Sequence, residues 1–146
     1  MTKIEVKILE QKTKSLRLLF VEDNYASQEA MLDILHMFFD EITVAFNGKK
    51  ALQQFYGQPF DLVITDIEMP VMNGIDMIKE IRKSDDMMPI LIITAHNENV
   101  YSHEYDMLNI KDSLLKPLEL KTFLTVLERF ADDSIQIKKE KTDYAG

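Results

Sequence analysis

The sequence predicts an α/β fold, a doubly wound five-stranded parallel sheet of order 2-1-3-4-5 with five helices. Three observations carry that reading. Strand-like apolar runs at Leu16–Val21, Ile42–Phe46, Phe60–Thr65, Pro89–Thr94 and Ser113–Leu115 are separated by stretches with helical spacing, so β and α alternate five times. The segments Leu16–Val21, Asp61–Thr65 and Ile90–Thr94 are almost continuously apolar, as strands covered by helices on both faces must be. Four of the five runs end in polar residues, Glu22-Asp23, Thr65-Asp66, Thr94 and Lys116, and ligands of open α/β sheets collect at that edge.

The first, third and fourth runs form the sheet interior. The helix after the first run is expected over Tyr25–Phe39, because Met31, Leu32, Leu35, Phe38 and Phe39 recur at three- and four-residue separations and Asn24 is placed to cap the first turn. The second run is more polar and the fifth is short, which suits the two sheet edges. Asn47 caps a short second helix bearing Ala51, Leu52 and Phe55, and Gly57-Gln58-Pro59 stops it. The remaining helices are expected over Gly74–Arg82, Glu98–Leu108 and Leu118–Phe130, with right-handed crossovers throughout.

A chain of 146 residues fits one domain, placed at 16–131. Residues 1–15 are an N-terminal extension or linker: Ile4, Val6 and Ile8 alternate like a strand, while Ile4 and Ile8 also fit a helical stripe. Residues 132–146 are a charged C-terminal tail expected to fray. Against 25 Asp and Glu stand 17 Lys and Arg, and the net charge of −8 disfavours a grip on nucleic acid or anionic lipid. The absence of cysteine excludes a disulfide scaffold and a thiolate nucleophile or metal ligand. Met1–Ser15 lacks the apolar core of a secretory signal and no run of ~18 apolar residues follows, so a cytoplasmic protein with no membrane partner is expected. His36, His96 and His103 lack partners at metal spacing, and the nine methionines, Met69, Met72 and Met77 among them, read as gap fillers and partner contacts.

A lone aspartate at a strand end is ordinarily a helix cap or a solvated loop residue, and Thr94 and Lys116 taken singly would be surface residues. Their joint placement on neighbouring strand ends argues for a site. Glu22, Asp23 and Asp66 in one crevice would repel unless a cation were present. Mg²⁺ takes hard oxygen ligands, and together with the Lys116 ammonium it returns the three positive charges that the carboxylates require.

The segments Leu19-Phe20-Val21-Glu22-Asp23-Asn24, Val63 to Gly74, Ile92-Ile93-Thr94-Ala95 and Leu114-Leu115-Lys116-Pro117-Leu118 resemble the receiver domains of bacterial response regulators, in order and in spacing, over roughly Leu16 to Phe130. The stretch Asp66-x-x-Met69-Pro70-x-Met72-x-Gly74 is by itself a specific motif. The resemblance implies a flavodoxin-like receiver fold and a phosphorelay function in two-component signal transduction. Asp66 matches the phosphoacceptor, attacking a phosphohistidine or a small phosphodonor. Asp23 and Asp66 match direct Mg²⁺ ligands, joined by the backbone carbonyl of Glu68, with Glu22 reaching the metal through water. Thr94 matches the hydroxyl, and Lys116 the cation, that hold the phosphoryl group. Such chemistry rests on positioning and charge neutralisation. The implied partners are a sensor histidine kinase or histidine phosphotransfer protein and a downstream output protein or domain. Similar domains also hold a cis peptide at the position of Pro117, and Gly74 would let the loop turn tightly into its helix.

Two further expectations concern behaviour. Glu68 and His96 are expected to set the lifetime of the acyl phosphate by pairing over the path of attacking water. In similar domains an aromatic stands three residues before the strand-5 lysine and swings inward on activation; here that residue is Ser113, so the change is expected to be read on the fourth predicted helix with Tyr101 and Tyr105. The receiver should react stoichiometrically and should not act as an enzyme beyond self-phosphorylation and autodephosphorylation. The competing class is an aspartyl phosphatase of the haloacid-dehalogenase kind, suggested by Asp66-x-Glu68 and weakened by Met69-Pro70. A stand-alone regulator and a receiver fragment of a hybrid histidine kinase both remain open.

Overall fold

Five strands, β1 (Arg17–Val21), β2 (Glu41–Ala45), β3 (Leu62–Thr65), β4 (Ile90–Thr94) and β5 (Ser113–Leu115), pair in parallel in the order β2-β1-β3-β4-β5. The computed structural model describes residues 1–95 and 100–145. Six helices surround the sheet: α1 (Lys3–Thr13), α2 (Tyr25–Leu35), α3 (Gly48–Gly57), α4 (Gly74–Ser84), α5 (Ser102–Met107) and α6 (Leu120–Ala145). One face packs Leu18, Phe20, Ile64 and Leu91 against Leu35, Phe39, Phe123 and Leu127 of the α2–α6 side. The other packs Leu19, Val21, Val63 and Ile92 against Ala51, Met77 and Ile78 of the α3–α4 side. Successive residues of β1, β3 and β4 thus feed opposite layers, which explains their continuous apolar runs.

Three helices begin at an asparagine: Asn24, Asn47 and Asn73 each accept from a backbone N–H three residues on, at 2.9 Å. These N-termini follow β1, β2 and β3 at the carboxyl edge of the sheet. The helix expected over Tyr25–Phe39 ends earlier, at Leu35. Bonds from Met37 N–H to the Ile34 carbonyl (3.1 Å) and from Phe38 N–H to the Leu35 carbonyl (3.0 Å) tighten the chain into a turn that still buries Phe38 and Phe39. The helix expected over Glu98–Leu108 appears as α5, and Glu98 lies outside the described residues.

Both ends of the chain depart from expectation. Residues 132–145 do not fray; they continue α6. The buried stripe through Leu127 and Phe130 extends to Ser134 and half-buried Ile137, at helical separations. Lys138 and Lys141 reach Asp61 (3.8 Å) and Asp85 (3.6 Å), anchoring the extension across the amino ends of the strands. The N-terminal segment is neither strand nor linker but α1, whose inner face is Val6, Leu9 and Thr13 rather than Ile4 and Ile8, both exposed. The buried Thr13 hydroxyl meets the Phe38 carbonyl at 2.6 Å, and Lys12 pairs with Asp132 at 3.0 Å.

Asp61 fastens the base of β1. It accepts from the backbone N–H (2.8 Å), Nε (3.1 Å) and Nη2 (3.2 Å) of Arg17 with its side chain only 7% exposed. Burial pushes its carboxyl upward, but the bonds from Arg17 and the charge of Lys138 outweigh that and hold it below the usual carboxylate range. A lowered folded pKa contributes stability that is present above the unfolded value, about pH 4, and is lost as pH falls through the folded one. Asp61→Asn is therefore expected to cost about 2 kcal/mol at neutral pH and clearly less near pH 3. Urea unfolding at the two pH values checks this; an equal cost at both would contradict it. Among the described residues no helix is long and apolar enough to cross a membrane.

Candidate phosphoryl site

The register of the sheet brings the site together. β1 and β3 pair as neighbours with Val21 opposite Thr65, so the next residues, Glu22-Asp23 and Asp66, leave the sheet side by side. β4 flanks β3, and its pairing of Thr94 with Leu115 sets Lys116 one residue beyond Thr94.

Each side chain is tied down by its own element. Glu22 is buried, its backbone N–H donating to the Ala45 carbonyl (3.1 Å) and its Oε2 accepting from Asn24 N–H (3.2 Å). The buried Gln28 of α2 donates through Nε2 to the Glu22 carbonyl at 3.1 Å. Asp66 donates its backbone N–H to the Val21 carbonyl (3.1 Å), and its Oδ1 accepts from Ile67 N–H (2.6 Å). Lys116 lies across the crevice, with Nζ 2.6 Å from Glu22 Oε1 and 3.1 Å from Asp66 Oδ2. Burial would lower its pKa, but the bonds and charges of Glu22 and Asp66 raise it on balance, so it stays an ammonium at neutral pH. Thr94 is fully buried, and its carbonyl accepts from Lys116 N–H at 2.9 Å. The Lys116–Pro117 peptide is cis.

Buried Glu22, exposed Asp23 and half-buried Asp66 each place a carboxylate oxygen within 4.8 Å of the others. Three carboxylates and one ammonium leave two negative charges, and an all-oxygen donor set with that balance fits a hard divalent cation. Glu68 is exposed in the loop after β3, whereas His96, its expected partner, lies outside the described residues. Ser113 lines a cavity of about 250 Å³ together with buried Tyr105, whose ring stacks on Tyr101 at 6.4 Å between centroids. Another cavity, of about 410 Å³, lies at the amino ends of the strands beside Phe60, Pro89 and Ile137, remote from these groups.

Gly74 holds Asp66 from behind. Its N–H donates to the Ile67 carbonyl at 2.7 Å, and a Cβ there would collide with the Asp66 carbonyl oxygen and stand 3.0 Å from Ile67 Cα. Backbone cannot yield as a flexible side chain does, so Gly74→Ala is expected to cost about 2 to 3 kcal/mol and to displace Asp66. Chemical denaturation with amide NMR of residues 64–68 tests this; wild-type stability and unmoved resonances would contradict it. Sequence reasoning missed Gln28, since nothing in its spacing marks a side chain that will reach back to the preceding strand end.

A profile of the response regulator receiver domain matches residues 18–128, most of the chain. Among similar curated proteins, the transcriptional regulatory protein CrdR of Helicobacter pylori is 32% identical over 83% of this chain and 58% of its own length. The aerobic respiration control sensor protein ArcB of Escherichia coli is 32% identical over 81% of this chain and 15% of its own. The chain thus spans little more than half, or less, of these relatives. Among solved structures, the non-phosphorylated HemR receiver domain of Leptospira biflexa has a TM-score of 0.73 at 29% identity, covering 80% of this chain and 94% of that one. TrrA of Thermotoga maritima, solved in complex with Mg²⁺-BeF, has a TM-score of 0.69 at 28% identity, covering 79% and 98%.

Proposed function

This chain belongs to the response regulator receiver domain family, and on that premise we propose that Asp66 is its phosphoacceptor. Its class of function is two-component signal transduction. The observation that carries the assignment is the convergence of Lys116 Nζ, 3.1 Å from Asp66 Oδ2, with the Glu22 and Asp23 carboxylates beside it. In the reaction proposed, an Asp66 carboxylate oxygen attacks the phosphorus of a phosphohistidine on a sensor histidine kinase or phosphotransfer protein. The new P–O bond forms as the P–N bond breaks, and the donor imidazole, protonated on its other ring nitrogen, takes the bonding pair and departs neutral. The Lys116 ammonium and the Thr94 hydroxyl then donate to the phosphoryl oxygens. Glu22, Asp23, Asp66 and the backbone carbonyl of Glu68 would hold Mg²⁺, the ion present in the TrrA complex, which when bound supplies charge neutralisation for the transfer. The phosphorylated chain would then differ in affinity for an output protein or domain, by no more than the difference in contacts between its two states.

Acetyl phosphate with Mg²⁺ tests the reading directly. Labelling is expected to stop at one phosphoryl group per chain, and phosphate esters are expected not to be turned over. Catalytic cycling on esters would contradict it and favour an aspartyl phosphatase, a reading that the family match does not support.

A further inference from the structure

The loop between β3 and α4 carries a backbone strain that nothing in the phosphoryl chemistry by itself requires. Val71, a β-branched residue 77% exposed, has φ of 70°, a region that side chains of its kind avoid. Met72 N–H closes back on the Pro70 carbonyl at 2.8 Å, forming a three-residue γ-turn around Val71. A distant contact holds that turn: the N–H of Gly48, at the start of α3, donates to the Met72 carbonyl at 3.0 Å. Gly48 is buried there, and a Cβ on it would stand 2.7 Å from the Met72 carbonyl oxygen, 2.9 Å from Met72 Cγ and 3.1 Å from Met72 Cβ. The other end of the loop is closed by the bond from Gly74 N–H to the Ile67 carbonyl. The segment from Ile67 to Gly74 is therefore clamped from two sides, and between the clamps lies Glu68.

We infer that Gly48, on a helix that contributes none of the site's own side chains, is a positioning residue for the metal: its close approach fixes the Met72 carbonyl, and through the strained turn the course of the loop that carries Glu68, whose carbonyl is a proposed ligand beside the Asp23 and Asp66 carboxylates. The inference rests on the metal assignment proposed above. A side chain at position 48 forces the Met72 carbonyl away by several tenths of an ångström, and because the Val71 turn is already strained, the loop relaxes rather than α3. Linkage makes the effect reciprocal: a metal that needs the clamped loop must also tighten the bond of the Gly48 amide.

The same helix supplies a control, because a Cβ on Gly57, its last residue, meets nothing within 4 Å. Mg²⁺ titration of the full chain, followed by amide NMR, is expected to give Gly48→Ala a dissociation constant raised roughly five- to tenfold, with Gly57→Ala within about twofold of wild type. Gly48→Ala binding Mg²⁺ as tightly as wild type while melting lower would overturn the inference and reduce the contact to packing. Should Gly48→Ala fail to fold, hydrogen exchange of the Gly48 amide in the wild type decides: protection is expected to increase with Mg²⁺, and unchanged protection refutes the coupling. Absence of Mg²⁺ binding by the wild type would instead overturn the metal assignment, and the inference with it.

Discussion

Replacing Lys116 by alanine is expected to destabilise the metal-free protein by about 3 kcal/mol and to enlarge the stabilisation that Mg²⁺ confers. The ammonium is shared by two carboxylates that have little else to balance them. Glu22 is 3% exposed at its side chain and Asp66 13%, so both charges lose most of their water when the chain folds. Removing one partner of a buried ion pair leaves the other charge desolvated and uncompensated, which costs more than the pair contributes when intact. Lys116 itself is 26% exposed, and water admitted to its place relieves part of the penalty, which puts the cost at the lower end of the usual range. A divalent ion finds a more negative crevice in the variant, so it binds more tightly and, by mass action, raises the melting temperature further than in the wild type. Thermal unfolding with and without millimolar Mg²⁺ reads both effects. Equal Mg²⁺ stabilisation of the two proteins would show that Lys116 does not balance the charges that hold the metal. The variant is also expected to hold a phosphoryl group less securely, having lost a cation that pairs with it.

The strand order and the polar rim were legible because they rest on short-range signals that the fold does not override. The continuous apolar runs of β1, β3 and β4 could only be interior strands; Thr94 closes its strand, and Glu22, Asp23, Asp66 and Lys116 stand one or two places past theirs. The family motif then gave Asp66, Thr94 and Lys116 their expected roles, and the sheet register places them together. What was not legible depends on which long-range surface a segment meets. In α1 the residues 4, 6 and 8 fit two periods equally, and the face that won is completed by Thr13, whose buried hydroxyl meets the Phe38 carbonyl at 2.6 Å as well as the Leu9 carbonyl of its own helix at 3.0 Å. In the C-terminal segment the charged composition hid a stripe whose buried members include Ser134, and its lysines meet Asp61 and Asp85, remote in sequence. The Gly48–Met72 contact joins the starts of two different crossovers, and no local pattern announces it. The early end of α2 has a similar cause: Phe38 and Phe39 continue the helical apolar spacing, yet they reach the core from a tightened turn.

One oxygen of one side chain, that of Asp66, is proposed to receive the phosphoryl group. Asp66→Asn preserves the size and shape of the side chain and keeps an acceptor for the Ile67 N–H, now 2.6 Å from Asp66 Oδ1, while removing the charge and the nucleophilic oxygen that the transfer needs. The crevice loses one negative charge but keeps Glu22 and Asp23, so the variant should fold, and its circular dichroism and melting should remain those of a folded receiver. Intact-mass spectrometry after incubation with acetyl phosphate and Mg²⁺ is the most direct measurement. One added phosphoryl group is expected on the wild type and none on Asp66→Asn; equal labelling of the folded variant would place the acceptor elsewhere.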